Sequence, residues 1–164
     1  MRESQAHGRR ILSAAWEPTY LELGRVYARL GDWDKSLEAL SYGRSVRLQP
    51  EFFDEMARVY EMSGDAAQAE TTLMEAFMTD PSATIFASRL ASLYAKFEPQ
   101  SCALSHSGSS SASLDLNCPL VHGQVCTAAR NVAMLYVQSG KRNQAASTAR
   151  TAVDQMGCPA SIFQ

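Results

Sequence analysis

The stretch Tyr20-Leu-Glu-Leu-Gly-Arg-Val-Tyr27-Ala-Arg-Leu-Gly31-Asp-Trp-Asp34 decides how this chain reads, because its order of large, small and aromatic residues returns three times downstream. Tyr27 recurs as Tyr60, Tyr94 and Tyr136, at intervals of 33, 34 and 42 residues. The small residue three places earlier runs Gly24, Ala57, Ala91, Ala133, and the apolar residue before it runs Leu23, Met56, Leu90, Val132. Gly31 recurs as Gly64 and Gly140, each four residues after its tyrosine, while Glu98 holds that place in the third copy. Residues three and four apart share a helix face, so Tyr20, Leu23, Gly24 and Tyr27 are expected as one stripe of a first helix. The small residue lets a second helix approach closely and the tyrosine fills the gap beside it. Gly31 and Gly64 fall where the chain leaves that first helix, in the left-handed conformation common just past a helix end. The second helix then carries Leu37, Leu40 and Gly43 before Pro50, and in the next copy Ala69, Leu73, Ala76 and Phe77 before Pro81.

A period near 34 with aromatic-x2-Leu-Gly-x2-Tyr at Tyr20, Leu23, Gly24 and Tyr27 resembles the tetratricopeptide repeat, a helix-turn-helix unit. The resemblance implies an all-α, right-handed superhelical solenoid of antiparallel helix pairs, one domain over 1–164, interrupted by one irregular serine-rich insertion. Repeat one covers 17–50 and repeat two 51–83, and these match the family pattern best. Residues 1–16 read as one helix on Ile11, Leu12, Ala14 and Ala15, either a cap or the second helix of an incomplete preceding repeat, with Pro18 opening the next helix. Repeat three, 84–120, begins well with Ile85, Phe86, Leu90, Ala91, Leu93 and Tyr94. It then fails at Glu98-Pro-Gln-Ser-Cys102 and the run from Ser105 to Ser113, whose composition suits a loop. Its second helix is expected to be lost, very short or replaced by an ordered loop. A fourth pair, 121–159, runs from about Val121 to Ser139 and from about Asn143 to Gln155, its second helix built on Ala145, Ala149 and Ala152.

The 164 residues are 46% apolar, enough for one core that buries roughly 70% of the unfolded surface. A net charge of -2 offers no basic field for nucleic acid. No window approaches the roughly 20 apolar residues of a membrane span, so direct membrane insertion is not expected. There is no P-loop, no G-x-S-x-G, no H-E-x-x-H and no dinucleotide fingerprint, and the serines of 107–113 lack a base on a rigid element. No enzyme and no cofactor are expected. Asp32 with Asp34 and Glu51 with Asp54 fall at turns and helix starts, where carboxylates suit the helix dipole. Glu70 and Glu75 read as solvated.

All four cysteines, Cys102, Cys118, Cys126 and Cys158, lie in the last 63 residues. Three readings stand side by side. Free buried thiols behave as small hydrophobes. Zinc has Cys102-x3-His106 and Cys118-x3-His122-x3-Cys126 in its favour, though these are not the usual paired C-x2-C knuckles. Disulfides have topology in their favour: an antiparallel hairpin brings Cys126 and Cys158 to one end, and Cys102 and Cys118 bracket the serine-rich loop. Disulfides would favour an extracytoplasmic compartment over a cytoplasmic one.

In the tetratricopeptide family the first helices line a concave groove that takes a peptide or partner helix. Matching positions here are Leu21, Arg25, Ala28 and Arg29 from repeat one, Asp54, Arg58 and Glu61 from repeat two, Ser88, Ser92 and Lys96 from repeat three, and Arg130 and Met134 from the last. Arg25 and Arg58, one repeat apart, suit two-pronged binding of carboxylates, so the expected partner is a protein or peptide of anionic character. The family's chaperone-tail clamp places lysine and asparagine at the Leu21 and Arg25 positions, and this chain does not. The implied role is an interaction module, free or as the soluble tail of a larger membrane protein; the alternative is a structural element that self-stacks into homo-oligomers.

Overall fold

Residues 19–98, 100–105 and 113–164 are described by the computed structural model, and helices joined by short turns fill nearly all of them. The helix expected within 1–16, Pro18 and the serine-rich run with His106 lie outside the described residues. Helix α1 runs through 19–29. It is followed by α2 (Trp33–Val46), α3 (Pro50–Ser63), α4 (Ala66–Thr79) and α5 (Thr84–Phe97). A short hairpin of β1 (Leu104–Ser105) and β2 (Ser113–Leu114) leads to α6 (Pro119–Gln138), α7 (Arg142–Asp154) and a final 3-10 turn (Ala160–Phe163). The fold is all-α, and the described part of the span expected to form the first five helices contains no strand.

The recurring tyrosine and glycine build the same turn each time. The amides of Asp32, Asp65 and Lys141 donate to the carbonyls of Tyr27, Tyr60 and Tyr136, at 3.0, 2.9 and 2.8 Å, five residues back. That reach requires the intervening glycine to turn left-handed, and Gly31, Gly64 and Gly140 have φ of 76, 89 and 74°. The third copy has Glu98 instead; its amide reaches back only four residues to Tyr94, and the reversal into another helix does not follow. After two of the glycines the chain supplies its own cap. Asp32 and Asp65 accept from the backbone amides of Lys35 and Gln68 at the starts of α2 and α4.

Close approach explains two further glycines. A Cβ on Gly24 would stand 2.5 Å from Leu40, and one on Gly43 would overlap the Phe52 ring. Leu40, Phe52 and Phe53 are wholly buried, each contributing about 1.5–3 kcal/mol through area removed from water. Of the stripe expected on α1, Gly24 is buried and Tyr20 and Tyr27 are half-buried, whereas Leu23 is exposed; Ala28, expected on the groove, is buried. Tyr60 is half-buried, and Tyr94 and Tyr136 are buried.

Helix α4 is the hub. It packs on α3, α5 and α6, and seven of its 14 residues are buried, against three of 13 in α7. In place of a second helix after α5 stands the two-stranded hairpin, with Leu104 opposite Leu114 and Ser105 opposite Ser113. Ala103 and Leu104 are buried and both strands lie against α5, so the irregular region covers the surface that a packing helix would have covered. Cys102 and Cys118 stand at disulfide distance across the base of this hairpin, and Cys126 and Cys158 do so between α6 and the chain beyond α7. In both pairs the Cα atoms are 5.5 Å apart, and no cysteine is left free.

Gly24→Leu and Gly43→Leu should each cost more than about 2 kcal/mol in urea unfolding by overpacking. Gly123→Ala, at a helical site with open space around the new Cβ, should gain about 0.5–1 kcal/mol. Equal effects at all three positions would contradict the helix contacts described. Thiol titration under denaturing, non-reducing conditions should find no free thiol, and reduction should cost about 3–4 kcal/mol per bridge.

Candidate functional site

Five residues before each tyrosine stand Glu22, Glu55, Arg89 and Asn131, and two residues before it stand Arg25, Arg58, Ser92 and Met134. Arg25 and Glu55 from these columns, and Arg89, tie successive first helices together sideways. Arg25 on α1 donates from Nε to Glu55 on α3 at 2.9 Å and from Nη1 to Glu22 at 2.6 Å. Arg89 on α5 reaches back to α3, pairing with Asp54 and, at 2.6 Å, with Glu61. One carboxylate on α4 links a second helix, α2, to a first helix, α6. Glu75 on α4 lies 3.6 Å from Arg44 on α2 and accepts from Asn131 on α6 at 3.1 Å.

Arg25, Ala28 and Arg29 of α1 and Glu55, Arg58 and Met62 of α3 line one cavity of about 250 Å³. Three of the four α1 positions expected on the groove therefore meet the expected arginine of α3. Their charges differ in availability. Arg25 is committed to two carboxylates, which raise its pKa, led by the hydrogen bond to Glu22. Arg29 and Arg58 are exposed, and neither has a carboxylate partner among the described residues. Leu21 is half-buried against the core of the first pair.

The other expected groove residues divide. Asp54 and Glu61 belong to the Arg89 ion pairs and are not open acceptors. Ser88, Ser92 and Lys96 are exposed along α5, where the Ser92 hydroxyl donates to the Ser88 carbonyl and Lys96 lies over the Phe97 ring. Arg130 and Met134 do not extend the arginine cavity. They line another, of about 480 Å³, with Ile162, Phe163 and Gln164, because α6 packs on α4 and α7 and not in line with α1 and α3.

Two carboxylates read as solvated are structural. Glu70 accepts from the Tyr94 hydroxyl, which also lies 2.6 Å from the Gln124 amide oxygen of α6. Burial, and then Glu70 itself, push the Tyr94 phenol far above its ordinary pKa, so it remains a neutral donor. Burial raises the Glu75 carboxyl above its usual range, against the opposing Asn131 hydrogen bond and Arg44 charge. The reading missed Glu55, Arg89 and Glu75 as cross-helix partners. For Glu55 and Arg89 the sequence offers opposite charges on successive first helices, Arg25 before Glu55 and Asp54 and Glu61 before Arg89.

No protein-family model matches the chain, and no curated protein matches it. No helix among the described residues is long and apolar enough to cross a membrane.

A raised native pKa means that the folded state holds the Glu75 proton more tightly than the unfolded chain does. Its contribution is therefore fully present below the ordinary value of 4.5 and is lost as pH rises through the elevated native value. Glu75→Gln keeps the shape and the acceptor for Asn131, so its Tm should match wild type in acid and exceed it near neutrality. Parallel Tm curves across that range would contradict the buried placement. Arg25→Ala should cost about 1–2 kcal/mol in urea unfolding, because it strands the largely buried Glu55.

Proposed function

We infer that this chain is a tetratricopeptide-type interaction module, a right-handed solenoid of helix pairs that takes an anionic peptide or acidic partner segment across its first helices. One observation carries the reading: Arg29 and Arg58, on successive first helices and without carboxylate partners among the described residues, line one cavity with Arg25, Ala28 and Met62. A carboxylate entering it meets guanidinium groups that no ion pair has to release. Met62 offers apolar contact for the stem of a glutamate beside them. Arg25 holds the frame by keeping α1 on α3. The paired cysteines favour an extracytoplasmic setting for the module, and a place as the soluble tail of a larger membrane protein is consistent with that.

Arg29→Ala/Arg58→Ala should weaken an oligoglutamate peptide by roughly tenfold at low salt, with thermal stability nearly unchanged. The difference should shrink at 1 M salt, where charges are screened within about 3 Å. Equal binding by the variant at low salt would remove the groove reading.

A second reading is self-stacking into homo-oligomers. It is favoured by Met134 and Val137, which are exposed on α6 beside Ile162 and Phe163. Sedimentation velocity separates the two, since stacking predicts a concentration-dependent species that Val137→Glu abolishes.

A further inference from the structure

Three side chains around the α6–α7 hairpin form a cluster that the proposed groove does not use. His122 lies one helical turn before Cys126 on α6, and its Nε2 stands 3.9 Å from the Cys126 sulfur. Cys158 closes the hairpin from beyond α7 and pairs with Cys126. One ligand atom from each of the three lies within 4.8 Å of the other two. Both cysteines are buried and His122 is half-buried, so the donors sit where the dielectric is low, with His122 and Cys126 held on one helix.

Two thiolates and an imidazole are a donor set for a borderline-soft dication such as zinc, with bonds of about 2.3 Å to sulfur and about 2.0–2.1 Å to nitrogen. On a tetrahedral ion these lengths set sulfur and nitrogen about 3.6 Å apart and two sulfurs about 3.8 Å apart. The first spacing is already close to the 3.9 Å observed. The second needs only that the disulfide be opened and its two ends relax by rotamer changes.

We propose that the Cys126–Cys158 pair and His122 form a redox-gated metal site: sealed as a disulfide, and a three-ligand zinc-type centre once reduced. Two equivalents of a thiol reductant convert the disulfide to two thiols and leave as their own disulfide. The incoming dication then displaces one proton from each thiol, so the two thiolates neutralise its charge. In the sealed form His122 Nε2 faces the Met156 carbonyl at 2.9 Å, which assigns its proton to that nitrogen. Binding moves the proton to Nδ1 and frees the Nε2 lone pair for the metal. The cavity of about 540 Å³ lined by His122, Gly123, Cys126, Thr127 and Pro159 gives the ion its approach and the fourth position its water. Cys102 and Cys118 stand outside this cluster and take no part in it.

Cobalt(II) titration of the reduced full chain, followed by absorption, tests this. One equivalent should bind with thiolate-to-cobalt charge-transfer bands and a tetrahedral d–d pattern, and the oxidised chain should show neither. Cys102→Ser/Cys118→Ser should retain the spectrum, Cys126→Ser/Cys158→Ser should lose it, and His122→Ala should weaken binding by roughly 100-fold. Circular dichroism of the reduced wild-type and His122→Ala chains, the state in which cobalt is titrated, establishes that both are folded. Absence of charge-transfer bands, binding that survives loss of Cys126 and Cys158, or unchanged affinity in His122→Ala would each overturn the proposal.

Discussion

The burial of α4 is the constraint on which the rest of the structure depends. A helix with Ala69, Leu73, Met74, Ala76, Phe77 and Met78 all sequestered, and only Ala67, Gln68 and Thr71 exposed, must be covered by neighbours over most of its surface. Helices α3, α5 and α6 provide that enclosure, and Glu70 and Glu75 at its edges supply the polar contacts that set how α5 and α6 lie on it. A carboxylate such as Glu75 gives little net stability once desolvation is counted against its partners. What it supplies is a preference for one docking of α2 and α6 over others. The alanine-rich α7 is the opposite case: three buried residues hold it, and the Cys126–Cys158 pair fixes its far end to α6.

The first helices show a similar division of labour among their charges. Arginines that look equivalent by position are not equivalent by partner. Arg25 and Arg89 are spent on carboxylates of α3, and removing either leaves a partly buried negative charge without its counter-ion. Arg29 and Arg58 are exposed and have no carboxylate partner among the described residues, so their charges take no part in that frame.

Much of the architecture was legible because the signals are local. The tyrosine-to-glycine spacing dictates a turn within six residues, and Gly24 and Gly43 mark where side chains of the next helix intrude. Of the readings open for the cysteines, the structure has the disulfide one: Cys126 pairs with Cys158, which the α6–α7 hairpin brings to one end, and Cys102 with Cys118, which bracket the serine-rich run. What could not be read was lateral. That Glu55 faces Arg25, that Arg89 reaches back across α3, and that Glu75 joins three helices all depend on how one pair is rotated against the next. The period alone does not fix that rotation. The exposure of Leu23 and the separation of Arg130 and Met134 from the arginine cavity have the same origin, since they depend on where α1 and α6 come to rest.

Amide hydrogen exchange followed by NMR reports most directly on the central place of α4. Amides of Leu73, Met74, Ala76 and Phe77 should be the slowest in the chain, exchanging only through global unfolding, while those of α1 and α7 open by smaller local events. Exchange of α4 as fast as that of α7 would show that the helix is not the enclosed hub and that the packing described around it is wrong.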